Sequence, residues 1–132
     1  MAQHTHNKHQ AKIQKSILIY DFIKTVEDWG LTEDEAFDIS NLQSFDIFQL
    51  WNYGIFPKVD EAVYAQLSAI NDLNLILSFY LPKQSDRRHW LRSKEDTFFG
   101  RTPIENILGG HPSSVQDISY RVIQKISISL TS

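Results

Sequence analysis

The sequence predicts an all-α protein, with a helix-turn-helix-like N-terminal module joined by a long helix to a small helical C-terminal module. Two observations carry this expectation. Val59, Val63, Leu67, Ile70, Leu73, Leu77 and Leu81 recur on a beat of about 3.5 residues, which is the period of a helix seam. Helix-start signals lie on both sides of it: Thr32 with Glu35, and Thr102-Pro103 with Glu105. In each, a hydroxyl can accept from the third helical amide, and proline at the first helical position is preset for the turn.

In chain order, residues 1–16 read as a flexible basic tail, too polar to fold alone. Leu18, Ile19, Phe22, Ile23, Val26 and Trp29 then recur at three- and four-residue intervals, so one stripe of a helix over 17–29 faces a core, and Gly30 ends it. A short helix follows over 33–39. The polar stretch 40–43 breaks the pattern, and Ser44 caps a third helix with Phe45, Ile47, Phe48 and Trp51 inward, ending before Gly54. The long helix runs over 59–81 until Pro82 stops it. A continuous seam of that length must be buried by its own neighbours, by a second copy, or by both. Residues 87–92, with Trp90 and Leu91, form a short amphipathic helix, and a two-turn helix from Thr102 closes at Gly109-Gly110. Val115, Ile118, Val122, Ile126 and Leu130 mark a last helix capped by Ser114. Residues 126–130 also alternate with period two, so a terminal strand is the competing assignment there.

Composition narrows the function. The 132 residues contain no cysteine, which removes disulfide frameworks, thiolate metal sites and cysteine nucleophiles, and makes the cytoplasm the default compartment. No apolar run is long enough to span a bilayer, and the polar N-terminus is unlike a signal peptide. The formal charge of −3 excludes a globally basic nucleic-acid coat. Its layout is uneven: residues 1–20 carry Lys8, Lys12 and Lys15 and no acid, whereas residues 21–82 carry Lys24 and Lys58 against eleven acids. Residues 83–101 are basic again, with Lys83, Arg87, Arg88, Arg92, Lys94 and Arg101. Such steps suit two surfaces with different partners, or pairing between the acidic and basic parts.

No catalytic constellation emerges. His4, His6 and His9 lie in the polar tail, His89 and His111 are isolated, and Asp34/Asp38 is an acid pair on a polar helix face. None has the orienting partner that acid-base or metal chemistry needs, and the phosphate-loop, dinucleotide, serine-hydrolase and zinc-protease motifs are all missing. The chain reads as a non-enzyme with no cofactor and no metal. If the third helix lay across a DNA major groove, Ser44, Gln49 and Asn52 would face it. Phosphate contacts would fall to Lys12, Lys15 and Lys58, against the repulsion of Asp46 and an acidic module.

Residues 90–110 carry a more particular pattern: Trp90-Leu91, then Phe99-Gly100, Arg101-Thr102-Pro103, Ile107-Leu108 and Gly110. This resembles the toxin-binding domain of the Xre/MbcA/ParS antitoxin family. There a Trp-Leu pair, an aromatic or leucine before glycine, Arg-x-Pro-x-x-x-Leu and a further glycine come in that order. Trp29-Gly30-Leu31-Thr32 and residues 44–54 are similar to the family's Xre-like helix-turn-helix, so the resemblance covers about residues 17–126. One departure is Leu50, where the family commonly has a base.

The resemblance implies a type II antitoxin that binds and neutralises a RES-domain toxin, an enzyme class that degrades NAD or transfers ADP-ribose. It also implies a homodimer within the complex, and often operator DNA binding. On this reading residues 17–82 are the helix-turn-helix module and 83–132 the toxin-binding module. The expected toxin contacts are Arg87, Arg88, Arg92, Phe98, Phe99, Gly100, Arg101, Pro103 and Ile104, since arginines and aromatics dominate interface hot spots and a guanidinium suits an anionic-ligand pocket. A DNA-binding regulator, or an immunity-type interaction protein without DNA binding, is the alternative.

Overall fold

The computed structural model describes the backbone of residues 2–94, 100–108 and 112–131. Among the described residues there are seven helices: α1 (Ala2–Trp29), α2 (Glu33–Ser40), α3 (Phe45–Asn52), α4 (Glu61–Tyr80), α5 (Gln84–Leu91), α6 (Pro103–Ile107) and α7 (Pro112–Thr131). The fold is all-α, as expected. Helix α4 lies at its centre, packed against α1 on one side and α7 on another, with α2 and α5 also touching it.

The seam read from the sequence is the one buried: Val63, Leu67, Ile70, Leu73 and Leu77 all lie in the core. Because α1 and α7 both cover it, α4 also buries Tyr64, Gln66 and Ala69. The seam is therefore satisfied within the chain. Helix α1 contributes Ile19, Phe22, Thr25 and Trp29, spaced by three, three and four residues on one helical face. Polar rungs fix its register on α4. Thr25 Oγ1 donates to Asn71 Oδ1 at 3.2 Å, Asn71 Nδ2 to the Leu18 carbonyl at 3.1 Å, and Trp29 Nε1 to Asn74 Oδ1 at 2.9 Å. Lys15 Nζ meets Glu61 Oε1 at 3.1 Å, so the two helices run in the same direction.

Three of the four expected caps form where the sequence places them; the fourth, Ser114, lies inside α7, which begins at Pro112. Thr32 Oγ1 accepts from the Glu35 amide at 3.1 Å while the Glu35 carboxylate accepts from the Thr32 amide at 2.9 Å, closing the capping box of α2. Ser44 Oγ accepts from the Ile47 amide at 3.4 Å, and Thr102 Oγ1 from the Glu105 amide at 3.1 Å. Asn41 takes the left-handed conformation, φ 67°, that ends α2 and turns the chain toward α3.

Two further details differ from the sequence expectation. The helix expected to begin at residue 17 begins at Ala2. The stretch from Ala2 to Ser16 has no glycine or proline and is rich in Ala, Gln and Lys, so a helix anchored in the core can propagate outward through it. Phe45, expected inward, is exposed, and its ring stacks on Phe48 at 5.8 Å. Residues 126–130 are helical, the last-helix assignment and not the competing strand. One apolar cluster runs from Ile19 through α4 to Val122.

Candidate functional site

Helix α5 and its C-cap carry three of the arginines expected to face a partner; Arg87 is buried, Arg88 and Arg92 are exposed, and all three are bonded to other parts of the chain. Arg87 is 8% exposed. Its Nε and Nη2 donate to the two carboxylate oxygens of Asp28 at 3.0 and 2.8 Å, and its Nη1 donates to the carbonyls of Leu81 and Pro82 at 2.9 and 2.8 Å. This planar, bidentate arrangement is specific to a guanidinium. It also satisfies carbonyls left open where α4 ends.

Arg88 performs the same service for α1, donating from Nε to the Asp28 carbonyl and from Nη2 to the Glu27 carbonyl, both at 2.9 Å. A cation at a helix C-terminus is also favoured by the helix dipole. The chain leaves α1 through Gly30 at φ 68°, and a Cβ there would stand 3.0 Å from Arg88 Nε. Glycine is thus required both by conformation and by the packed guanidinium. Arg92 pairs with Glu35, Nη2 to Oε1 at 2.7 Å and Nη1 to Oε2 at 3.0 Å. The hydrogen bonds from Arg92, opposed by partial burial and reinforced by the Thr32 amide, lower the Glu35 carboxyl to about 2. Three arginines therefore clamp α5 to the end of α1 and the start of α2. Sequence reasoning placed them on a docking face because their partners on α1 and α2 lie 57–61 positions away.

Around α6 the expected residues separate. Pro103 and Ile104 are buried with Ile107, which seats the short helix in the core and removes those two side chains from any docking face. Gly100, at φ 77°, and Arg101 are exposed just before the Thr102 cap. Arg101 makes no hydrogen bond or ion pair with any described residue. Phe98 and Phe99 lie outside the described residues.

The expected DNA-facing residues are also divided. Gln49 and Asn52 are exposed one turn apart on α3, beside the exposed Asp46. Lys58 is exposed and lines a shallow cleft of about 300 Å³ with Gln43 and Ser44. Lys12 is exposed on α1, whereas Lys15 is held by Glu61 and by the Tyr64 ring, 4.8 Å from its centroid. The Ser44 hydroxyl is engaged in its cap.

A cleft of about 540 Å³ opens between α1 and α4 and includes Asp21, Lys24, Asp28, Asn71, Asp72 and Asn74. Asn71 and Asn74, unremarked in the sequence, are spent on Thr25, Trp29 and the Leu18 carbonyl, so this cleft is a seam between helices with a polar floor. Among the described residues no group of His, Asp or Glu is arranged to hold a metal ion, and no helix is long and apolar enough to cross a membrane. Comparison with known proteins returned no matching family model, no curated relative and no solved structure.

Proposed function

We propose that this chain is a non-enzymatic antitoxin that binds a RES-class enzyme and covers its active-site mouth with the surface around Arg101. The observation that carries the reading is the contrast among its arginines: Arg87, Arg88 and Arg92 are consumed by the fold, while Arg101 is exposed and unpaired among the described residues. It sits on the approach to α6, whose own residues Thr102, Pro103, Ile104 and Ile107 are buried. Ordering the Arg101 side chain on binding costs about 0.5–1.5 kcal/mol, while the capped helix behind it is already seated. The Arg101 guanidinium can also mimic or displace a cationic group at the anionic-ligand pocket that an NAD-consuming enzyme must possess. The docking surface is correspondingly narrower than the sequence suggested, with Gly100 and Arg101 at its centre, and the proposed complex contains the antitoxin as a cytoplasmic homodimer.

Co-expression tests this directly. Arg101→Glu abolishes rescue from the enzyme encoded in the adjacent reading frame while leaving the circular dichroism spectrum unchanged; full rescue by the variant overturns the reading.

A helix-turn-helix regulator is the competing reading, favoured by the joint exposure of Gln49 and Asn52 on α3, the side-chain types that pair with adenine. Promoter binding that weakens steeply with added salt, and weakens further on Lys12→Glu with Lys58→Glu, would favour it over the first.

A further inference from the structure

The pattern Thr-x-x-Glu stands at the start of two helices, Thr32 to Glu35 at α2 and Thr102 to Glu105 at α6. In both, the threonine hydroxyl accepts from the glutamate amide at 3.1 Å. The two carboxylates then differ. That of Glu35 turns back to the Thr32 amide at 2.9 Å and holds both arms of Arg92 at 2.7 and 3.0 Å, so the fold consumes it. That of Glu105 is exposed and makes no hydrogen bond or ion pair with any described residue, Thr102 and Arg101 included.

Residues 102–104 are all buried, so Arg101 and Glu105 are the two side chains that residues 101–105 present to solvent. They carry opposite charges and stand roughly 8 Å apart along the backbone, one extended residue plus most of a helical turn. A base placed before an acid at this spacing is the less favourable order for pairing within a helix, and Arg101 lies outside α6. Each charge is therefore open to a partner.

We propose that Glu105 is the second charged contact of the docking surface, its carboxylate seated on the cations that hold the anionic part of the partner enzyme's substrate. This contact rests on the proposed function. An enzyme that takes an anionic dinucleotide focuses positive charge at its mouth, and its cationic side chains give a carboxylate the same charge-assisted hydrogen bonds that they give a phosphate. Glu105 brings that group to the mouth, beside Arg101, whose guanidinium meets an acidic group of the rim. Opposite charges in a fixed order also select as one charge cannot, because a rim with the order reversed meets like charge at both positions. A merely structural role for Glu105, as an acid in the first turn of a helix, would act on the melting temperature instead.

Titration calorimetry of the proposed RES-class partner with full-length variants tests the contact, with melting temperatures recorded alongside. Glu105→Lys lowers the affinity at least ~30-fold and Glu105→Gln about 5-fold. Glu105→Gln melts like the wild type, since the carboxylate has no bond within the described residues to lose. The exchange variant, Arg101→Glu with Glu105→Arg, keeps the net charge yet binds no better than Arg101→Glu alone. At matched ionic strength, inorganic pyrophosphate weakens wild-type binding and leaves Glu105→Ala unchanged, because the anion then has its subsite to itself. Wild-type affinity in Glu105→Lys, an exchange variant that binds like the wild type, equal competition by pyrophosphate in both proteins, or a loss of affinity in Glu105→Gln matched by a lowered melting temperature each overturns the contact. Binding lost in Arg101→Glu but kept in Glu105→Lys defeats this contact and leaves the proposed function standing, whereas a wild type that binds no such enzyme defeats both.

Discussion

Replacing Arg87 by alanine separates an arginine that builds the fold from one that serves a partner. The substitution removes both bonds to Asp28 and both bonds to the Leu81 and Pro82 carbonyls. The side chains of the pair are only 9% and 23% exposed, so the carboxylate left behind is largely out of water. Breaking a buried pair from one side costs about 3–5 kcal/mol. The partial exposure of Asp28 places this case at the lower end, about 3 kcal/mol. With an unfolding entropy near 2.1 cal/mol/K per residue, 3 kcal/mol lowers the melting temperature of a chain this size by about 11 °C. Thermal unfolding followed by circular dichroism reads this directly. Asp28→Asn should cost a similar amount, and the double variant less than the sum, since both changes break one contact. A shift below ~3 °C for Arg87→Ala would refute the clamp. So would a variant that melts like the wild type yet no longer binds the partner enzyme, which would return Arg87 to the docking face.

The same clamp makes three further predictions. Because the folded-state pKa of Glu35 lies near 2, below its ordinary 4.5, its contribution is fully present above about pH 4.5 and is lost as pH falls toward 2. Denaturant midpoints measured across that window should decline, and Glu35→Gln should flatten the decline. Gly30→Ala should destabilise by about 1–2 kcal/mol in urea unfolding, because the residue sits at φ 68° and the new methyl meets Arg88; a neutral result would mean the turn rearranges freely. A fragment of residues 83–132 alone should give the spectrum of an unfolded chain, since Ile107, Val115, Ile118 and Val122 bury against the cluster that α1 and α4 supply; cooperative melting of that fragment would contradict a shared core.

What the sequence made legible was local. The inward seam of α4 and the three side-chain caps at Thr32, Ser44 and Thr102 depend on residues within a few positions of one another, and each formed as read. What it hid depends on chain segments meeting from a distance. The fate of Arg87, Arg88 and Arg92 was decided by Asp28, the carbonyls of α1 and α4, and Glu35, so a basic cluster that looked like a docking surface became an internal brace. The same holds for Asn71 and Asn74, whose partners lie on α1, and for the burial of Pro103 and Ile104. The N-terminal segment misled for another reason: polarity argues against a core, but it does not prevent a helix anchored by residues 19–29 from continuing outward.

The central claim is that the face around Arg101 holds a partner enzyme while the remaining arginines hold the fold. Its most direct measurement is the affinity of the proposed RES-class partner for the wild type, Arg101→Glu and Arg101→Lys, by titration calorimetry with each protein's melting temperature recorded alongside. Binding reduced by at least ~30-fold in Arg101→Glu, partly retained in Arg101→Lys, and with melting temperatures equal to the wild type, is the predicted result. Equal affinity across the three proteins would contradict it.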